Sequence, residues 1–296
     1  MELIGKYMNG NVLMKIFSDG TLIRYTEDDE FKPAFASNID IKICNRCDMG
    51  CPMCHEGSTI DGKLGNIMNE KFIDTLHPYQ EVAIGGGNVL EHPDLVQFLE
   101  KLKSINVVAN ITIHQNHFEE NIDLVKRLVD EGLIYGLGVS LNSANEHFIN
   151  NIKQFPNAVI HVINGIFDAN DLKTLENRGL KLLILGYKQL RRGNEYLKDN
   201  AIDVIDKQEW LCEMVPSLFS KFDVVSFDNL AIDQLNVGKH LTKEQWNLFY
   251  AGNDGSFTFY IDMVERKFAK SSTESLENRF DLLESVDEMF AQIHNV

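Results

Sequence analysis

From residue 39 onward, short apolar runs alternate along the chain with segments whose apolar positions recur at helical spacing. The runs at 39–44, 81–84, 107–113, 134–140, 159–163 and 180–185 predict strands, and 94–103, 119–131, 146–154 and 171–178 predict helices between them. Strands separated by helices at this interval imply a parallel sheet with helices outside it. Periodicity alone allows a partial barrel, a closed barrel or an open doubly wound sheet. In each of these, functional groups gather at the carboxyl ends of the strands.

The flanks follow other patterns. Val12-Leu-Met-Lys-Ile-Phe17 and Thr21-Leu-Ile-Arg-Tyr25 enclose Ser18-Asp19-Gly20, and an Asp-Gly step between two β-prone runs predicts a hairpin. The acidic stretch 27–30 and Lys32-Pro33 then predict a solvated linker, which makes 1–38 an N-terminal hairpin and linker. Residues 39–235 form the α/β unit, with 208–222 an amphipathic segment that Pro216 should end or kink and 224–227 a further strand. Residues 236–296 predict a C-terminal extension: a helix near 243–250, a hairpin of 256–261 and 267–271, and a closing helix over 281–293.

Four of the five cysteines fall within 41–58, IKICNRCDMGCPMCHEGS, directly after the first predicted strand of the α/β unit. Cys47, Cys51 and Cys54 are spaced Cys-x3-Cys-x2-Cys, so one short loop can wrap three thiolates around a single metal centre. Iron–sulfur clusters are held by closely spaced cysteines, usually four, and three leave one iron open. Other chemistries remain open. Disulfides between such near neighbours would close small, strained loops, and no signal-peptide pattern opens the chain. A zinc knuckle would pair Cys44-x2-Cys47 with Cys51-x2-Cys54, although zinc ribbons separate such pairs by about 15–20 residues. The Cys51-Pro52 step suits a ferredoxin-type site, in a chain much longer than a ferredoxin. Cys44 and Cys212 have apolar neighbours and are expected in the core.

The order, spacing and context of these cysteines resemble the radical SAM superfamily, over roughly residues 39–190. The resemblance implies a partial (β/α)6 TIM-like barrel with a [4Fe–4S] cluster on Cys47, Cys51 and Cys54. S-adenosylmethionine would occupy the fourth iron through its amino and carboxylate groups. A fourth protein ligand at Cys44 would block that position. The residue before the last cysteine is often aromatic in the family, and Met53 stands there as a soft, polarizable substitute. The segment Gly85-Gly86-Gly87-Asn88 after the second strand is similar to the family's glycine-rich segment, which contacts the methionyl amino group. There Asn88 replaces the usual Glu; it can accept a hydrogen bond but lacks the charge. By the same resemblance Ser140 and Asn142 would face the ribose or carboxylate, and Asn164, with Gly165, the adenine. His114, Gln115 and Asn116 follow the third strand and could face substrate.

The implied chemistry is reductive cleavage of S-adenosylmethionine to methionine and a 5′-deoxyadenosyl radical, which abstracts hydrogen from a small-molecule, nucleotide or peptide substrate. An electron donor such as flavodoxin or ferredoxin would be the partner. The N-terminal hairpin and C-terminal tail would serve as lids, since so reactive a species must be shielded from water. No cysteine lies beyond Cys212, which excludes a cysteine-ligated auxiliary cluster in the tail. Two other readings differ in class: a cluster-containing binding or electron-transfer protein that does not cleave S-adenosylmethionine, and a zinc-stabilised scaffold.

Charge narrows the partners. Against 44 Asp and Glu stand 28 Lys and Arg, a formal net charge of −16 in 296 residues, which disfavours an extended nucleic-acid surface. The chain lacks the run of about 18 apolar residues that a membrane span needs. A cysteine-rich metal loop without a targeting signal suits the reducing cytoplasm. Within this acidic chain Gly186-Tyr-Lys-Gln-Leu-Arg-Arg-Gly193 is the most basic short run, and Lys188, Arg191 and Arg192 could hold a carboxylate or phosphate of the substrate.

Overall fold

A computed structural model describes residues 2–295. The N-terminal piece is an antiparallel sheet of three strands in the spatial order β1 (Leu3–Asn9), β2 (Val12–Phe17), β3 (Leu22–Tyr25). The α/β unit runs β4 (Asn38–Cys44), β5 (Glu81–Gly86), α1 (Leu95–Ser104), β6 (Val108–His114), α2 (Gln115–Glu120), α3 (Ile122–Asp130), β7 (Gly136–Ser140), α4 (Glu146–Ile152) and β8 (Ala158–Ile163). It continues with α5 (Ala169–Leu175), β9 (Lys181–Leu185), α6 (Arg192–Leu218) and β10 (Val224–Phe227). The remainder is α7 (Asn229–Gln234), α8 (Lys243–Phe249), β11 (Thr258–Asp262), β12 (Lys267–Ala269), β13 (Phe280–Asp281) and α9 (Val286–His294).

One ten-stranded sheet has the order β10-β9-β8-β7-β6-β5-β4-β11-β12-β13. The strands from β10 to β11 are parallel, while β12 and β13 are antiparallel additions. The C-terminal hairpin therefore belongs to the main sheet, since β11 pairs with β4 along Asn38 to Lys42. The structure is the partial TIM-like barrel expected, extended by β10 at one edge and by β11, β12 and β13 at the other.

Burial alternates along these strands. Ile39, Ile41 and Ile43 of β4, Ile111 and Ile113 of β6, and Leu182 and Ile184 of β9 are buried under the helices. Each contributes about 1.5–3 kcal/mol by leaving water. Between them Asp40, Asn110, Thr112, His114 and His161 keep open surface on the other face. That face is concave. In a flat sheet six strand spacings of about 4.8 Å would put β4 roughly 29 Å from β10. The segment after β9, the neighbour of β10, nevertheless bonds the loop after β4: Arg191 donates to Glu56 O at 2.6 Å and Arg192 to Ser58 O at 2.9 Å. The sheet curls so that its polar side becomes an interior.

Three expectations change. The segment 119–131 is two helices, broken at Asn121 (φ −121°, ψ 27°). Helix α6 starts well before 208 and runs through Pro216; its kink lies at Asn200 (φ −126°, ψ 23°). Pro216 stands in the last turn, where its missing N–H forfeits a single helical bond. The closing helix begins at Val286, because Phe280–Asp281 pairs with β12 as a strand.

The N-terminal sheet seals the amino ends of the strands. Asn157, just before β8, donates to Ser18 O at 3.2 Å, and Lys181 at the start of β9 donates to Asp19 O at 3.3 Å. Tyr135, just before β7, donates to Phe17 O and accepts from Gly20 N. Arg24 lies over the ring of Phe257, just before β11. The hairpin is thus a floor at the end opposite the cysteine loop, which corrects its expected role as a lid over that loop.

Candidate active site

The cysteine loop grows from the carboxyl end of β4. Cys44 closes that strand with a fully buried thiol, which burial raises to about 11. Beyond it the chain doubles back: Cys47 N donates to Thr59 O at 2.9 Å, Thr59 N to Asn45 O at 3.1 Å and Asn45 N to Lys63 O at 2.7 Å. A Cβ at Gly62 would lie 1.8 Å from Asn45 O, so this return requires glycine. Cys47, Cys51 and Cys54 are free, half-buried thiols. Burial raises Cys51, and its neighbours Cys54 and Cys47 raise it further; burial raises Cys47 too, with Asp48, Cys54 and Glu91 adding to it. Three soft donors that repel one another as thiolates call for a cation among them. This donor set fits an iron–sulfur cluster with one position not taken by protein.

The glycine segment locks onto the same loop. Gly87 N donates to Cys44 O at 2.9 Å and Asn88 N to Arg46 O at 2.6 Å. A Cβ on Gly86 would meet Cys44 O at 2.3 Å and one on Gly87 would meet Arg46 O at 2.0 Å, whereas a Cβ on Gly85 would meet nothing within 4 Å. Two glycines serve close packing, and the third borders open space. Asn88 is buried; its Oδ1 accepts from Leu90 N at 3.2 Å and its Nδ2 donates to Glu91 Oε1 at 3.2 Å.

The basic run reaches the loop as well. Arg191 Nη1 donates to Glu56 O at 2.6 Å and lies 3.2 Å from Glu56 Oε2, while Arg192 Nη1 donates to Ser58 O at 2.9 Å. Their guanidinium groups grip the chain just past Cys54. Glu56 also pairs with Lys42 at 2.7 Å, and Lys42 lies 3.3 Å from Asp262, which in turn holds Arg279 at 3.0 Å. Burial alone would raise the Glu56 carboxyl, but His55 and Lys42 outweigh it and hold it well below the usual range. Lys188 instead donates to Ser272 Oγ at 2.9 Å.

The other expected positions separate. Ser140 is half-buried and Asn142 exposed at the end of β7. Gln115, rather than facing open space, is buried and accepts from both Asn142 N and Ser143 N. His114 Nδ1 accepts from Asn116 N as the cap of α2. Asn164 has no exposed surface: its Nδ2 donates to Gln234, which binds the backbone of Tyr187 in both directions. It joins the ends of β8 and β9 from beneath the open face.

Sequence reasoning passed over His117, Lys42, His55, Glu56 and Asp40. His117 is buried with Nε2 2.7 Å from Asp48 Oδ1, and with Cys47 these two groups could hold a metal ion. The alternation in NIDIKIC, with charges at Asp40 and Lys42 between isoleucines, was the signal for a polar inner face.

A curled parallel sheet thus carries three free thiols and a glycine-rich turn at the carboxyl ends of its strands. Residues 41–175 match the family model of the Radical SAM superfamily, whose members are enzymes. A GTP 3′,8-cyclase of Saccharophagus degradans is 26% identical over 139 residues, covering 44% of this chain and 41% of that protein. The chain thus aligns with about two fifths of this curated relative's length. Streptococcus suis SuiB shares the fold: bound to S-adenosylmethionine it is 13% identical with a TM-score of 0.53, covering 84% of this chain and 64% of that one. Bound to the precursor peptide SuiA it is 15% identical with a TM-score of 0.50, covering 80% and 60%. Among the described residues no helix is long and apolar enough to cross a membrane.

Proposed function

We propose that this chain is a radical SAM enzyme that holds a [4Fe–4S] cluster on Cys47, Cys51 and Cys54 and acts on a substrate seated in the polar interior of the sheet. The observation that carries this reading is the presence of three free, half-buried thiols on one loop at the carboxyl end of β4, close enough that Cys47 and Cys54 both act on Cys51. Held by Cys47, Cys51 and Cys54 and reduced by a flavodoxin- or ferredoxin-like donor, the cluster would supply the electron for reductive cleavage of S-adenosylmethionine and so for hydrogen abstraction from a substrate carbon.

The protein's own part is to bind, orient and exclude water. Gly85 leaves room for the methionyl end, Gly86 and Gly87 let the segment close on Cys44 O and Arg46 O, and Ser140 and Asn142 stand at the end of β7 as further contacts. The side chain of Asn88 is spent on Leu90 and Glu91. Glu91 is exposed on the same face and lies close enough to raise the Cys47 thiol, so it brings to an ammonium group the negative charge that Asn88 lacks. Arg191 and Arg192 fix the loop on its other side through Glu56 and Ser58.

Anaerobic reconstitution with iron and sulfide, then dithionite and S-adenosylmethionine, tests this reading. The wild type is expected to release 5′-deoxyadenosine, and Cys51→Ala none. A cluster without cleavage would favour the binding or electron-transfer reading, and zinc in place of iron would favour the scaffold.

A further inference from the structure

Most charges beside the cysteine loop are spent on bracing it from the Cys54 side. Lys42 lies against Glu56 and Asp262, Arg279 against Asp262, and Arg191 against Glu56. One pair at the other end of the loop stands apart. Asp48 directly follows Cys47, and its Oδ1 lies 2.7 Å from Nε2 of His117. Cys47 Sγ, a carboxylate oxygen of Asp48 and a ring nitrogen of His117 all lie within 4.8 Å of one another.

The two partners differ in freedom. His117 is 2% exposed and sits on α2, which starts where β6 ends. Its backbone carbonyl accepts from Asn121 N at 3.1 Å and Asn121 Nδ2 at 2.9 Å, and its ring meets that of His114 edge-on, with centroids 5.9 Å apart. Asp48 stands outside any helix or strand, and its side chain is 46% exposed. Among the described residues no lysine or arginine pairs with it. So exposed a carboxylate gains by turning into water, and the buried imidazole keeps it beside the thiol instead.

A fixed negative charge at this range acts on any redox centre that Cys47 holds. Each electron the centre takes up is repelled by the carboxylate, so the oxidised state is favoured. We infer that Asp48, held in place by the positioning residue His117, lowers the reduction potential of the cluster on Cys47, Cys51 and Cys54. This rests on the proposed function and deepens it, because a cluster of lower potential gives up its electron more readily. A clamp that merely shaped the loop would change how much cluster is retained and leave the potential of the retained cluster alone.

Potentiometric titration of the reconstituted protein, followed by the paramagnetic resonance of the reduced cluster, tests the inference. Asp48→Asn keeps an acceptor for His117 and removes the charge. At a fixed poise its ratio of reduced to oxidised cluster should rise about tenfold, a shift of about 59 mV for one electron. His117→Leu keeps the charge but releases it, and should raise the potential by a smaller factor. An unchanged or lower potential in Asp48→Asn overturns the inference, and an unchanged potential in His117→Leu overturns the role of His117. Where Asp48→Asn retains no cluster, Asp48→Ser takes its place; if neither retains one, the pair is a structural clamp and the inference falls. Cleavage of S-adenosylmethionine with no shift in Asp48→Asn would sink this inference and spare the proposed function. A shifted potential in a protein whose wild type releases no 5′-deoxyadenosine would do the reverse.

Discussion

At the amino ends of the strands the turn 18–20 is held by Asn157, Lys181 and Tyr135 through backbone carbonyls, and the floor spends its polar groups on closing the barrel. At the carboxyl ends the cysteine loop is held by glycine-only contacts and by buried ions, yet its three thiols stay free. One end is closed by groups that have nothing left to offer a ligand. The other is braced from outside so that its centre can bind one. The brace is electrostatic because the loop has no regular structure to hold it, and a buried pair such as Lys42 and Glu56 fixes geometry at a cost in desolvation.

The largest effect should come from the thiols. Cys47→Ala is expected to abolish iron retention and 5′-deoxyadenosine formation together, measured by iron analysis and chromatography. If iron stays near the wild-type level, the contrast between the two ends collapses.

Breaking the brace comes next. Glu56→Gln leaves Lys42 and Arg191 short of a carboxylate and should cost about 3–5 kcal/mol in urea unfolding. The folded Glu56 carboxyl lies below its unfolded value. Its contribution is therefore present above the ordinary glutamate value of about 4.3 and is lost as pH falls below it. An acid limb that is equally steep in wild type and Glu56→Gln would count against the brace.

The glycines sharpen the comparison within the mouth itself. Gly87→Ala forces a Cβ against Arg46 O and should destabilise by about 1–3 kcal/mol while weakening cluster retention. Gly85→Ala meets no atom within 4 Å. It should stay within about 0.5 kcal/mol of wild type in stability yet weaken S-adenosylmethionine binding by calorimetry. Matching losses of stability in the two variants would mean that Gly85 is structural as well.

The smallest effect belongs to the floor. Tyr135→Phe removes the hydroxyl shared by Phe17 and Gly20 and should cost about 1 kcal/mol. Iron content and 5′-deoxyadenosine formation should not change, and a loss of either would show that the floor reaches the site.

Much of this was legible in the chain. The strand–helix alternation placed β4 to β9, because apolar spacing is a local property that burial then follows. The Cys-x3-Cys-x2-Cys spacing located the thiols, whereas Gly86 and Gly87, expected to bring backbone close to a ligand, pack against Cys44 O and Arg46 O of the chain itself. What the sequence by itself determined was therefore the order of elements and the residues of one continuous loop. Tertiary structure decided the rest. It sent the hairpin to the floor instead of the lid, set β11 beside β4, turned Arg191 and Arg192 onto Glu56 and Ser58, and buried Asn164. Each of these depends on partners distant in sequence, brought together only when the sheet curls, and no spacing along the chain records which charge will meet which.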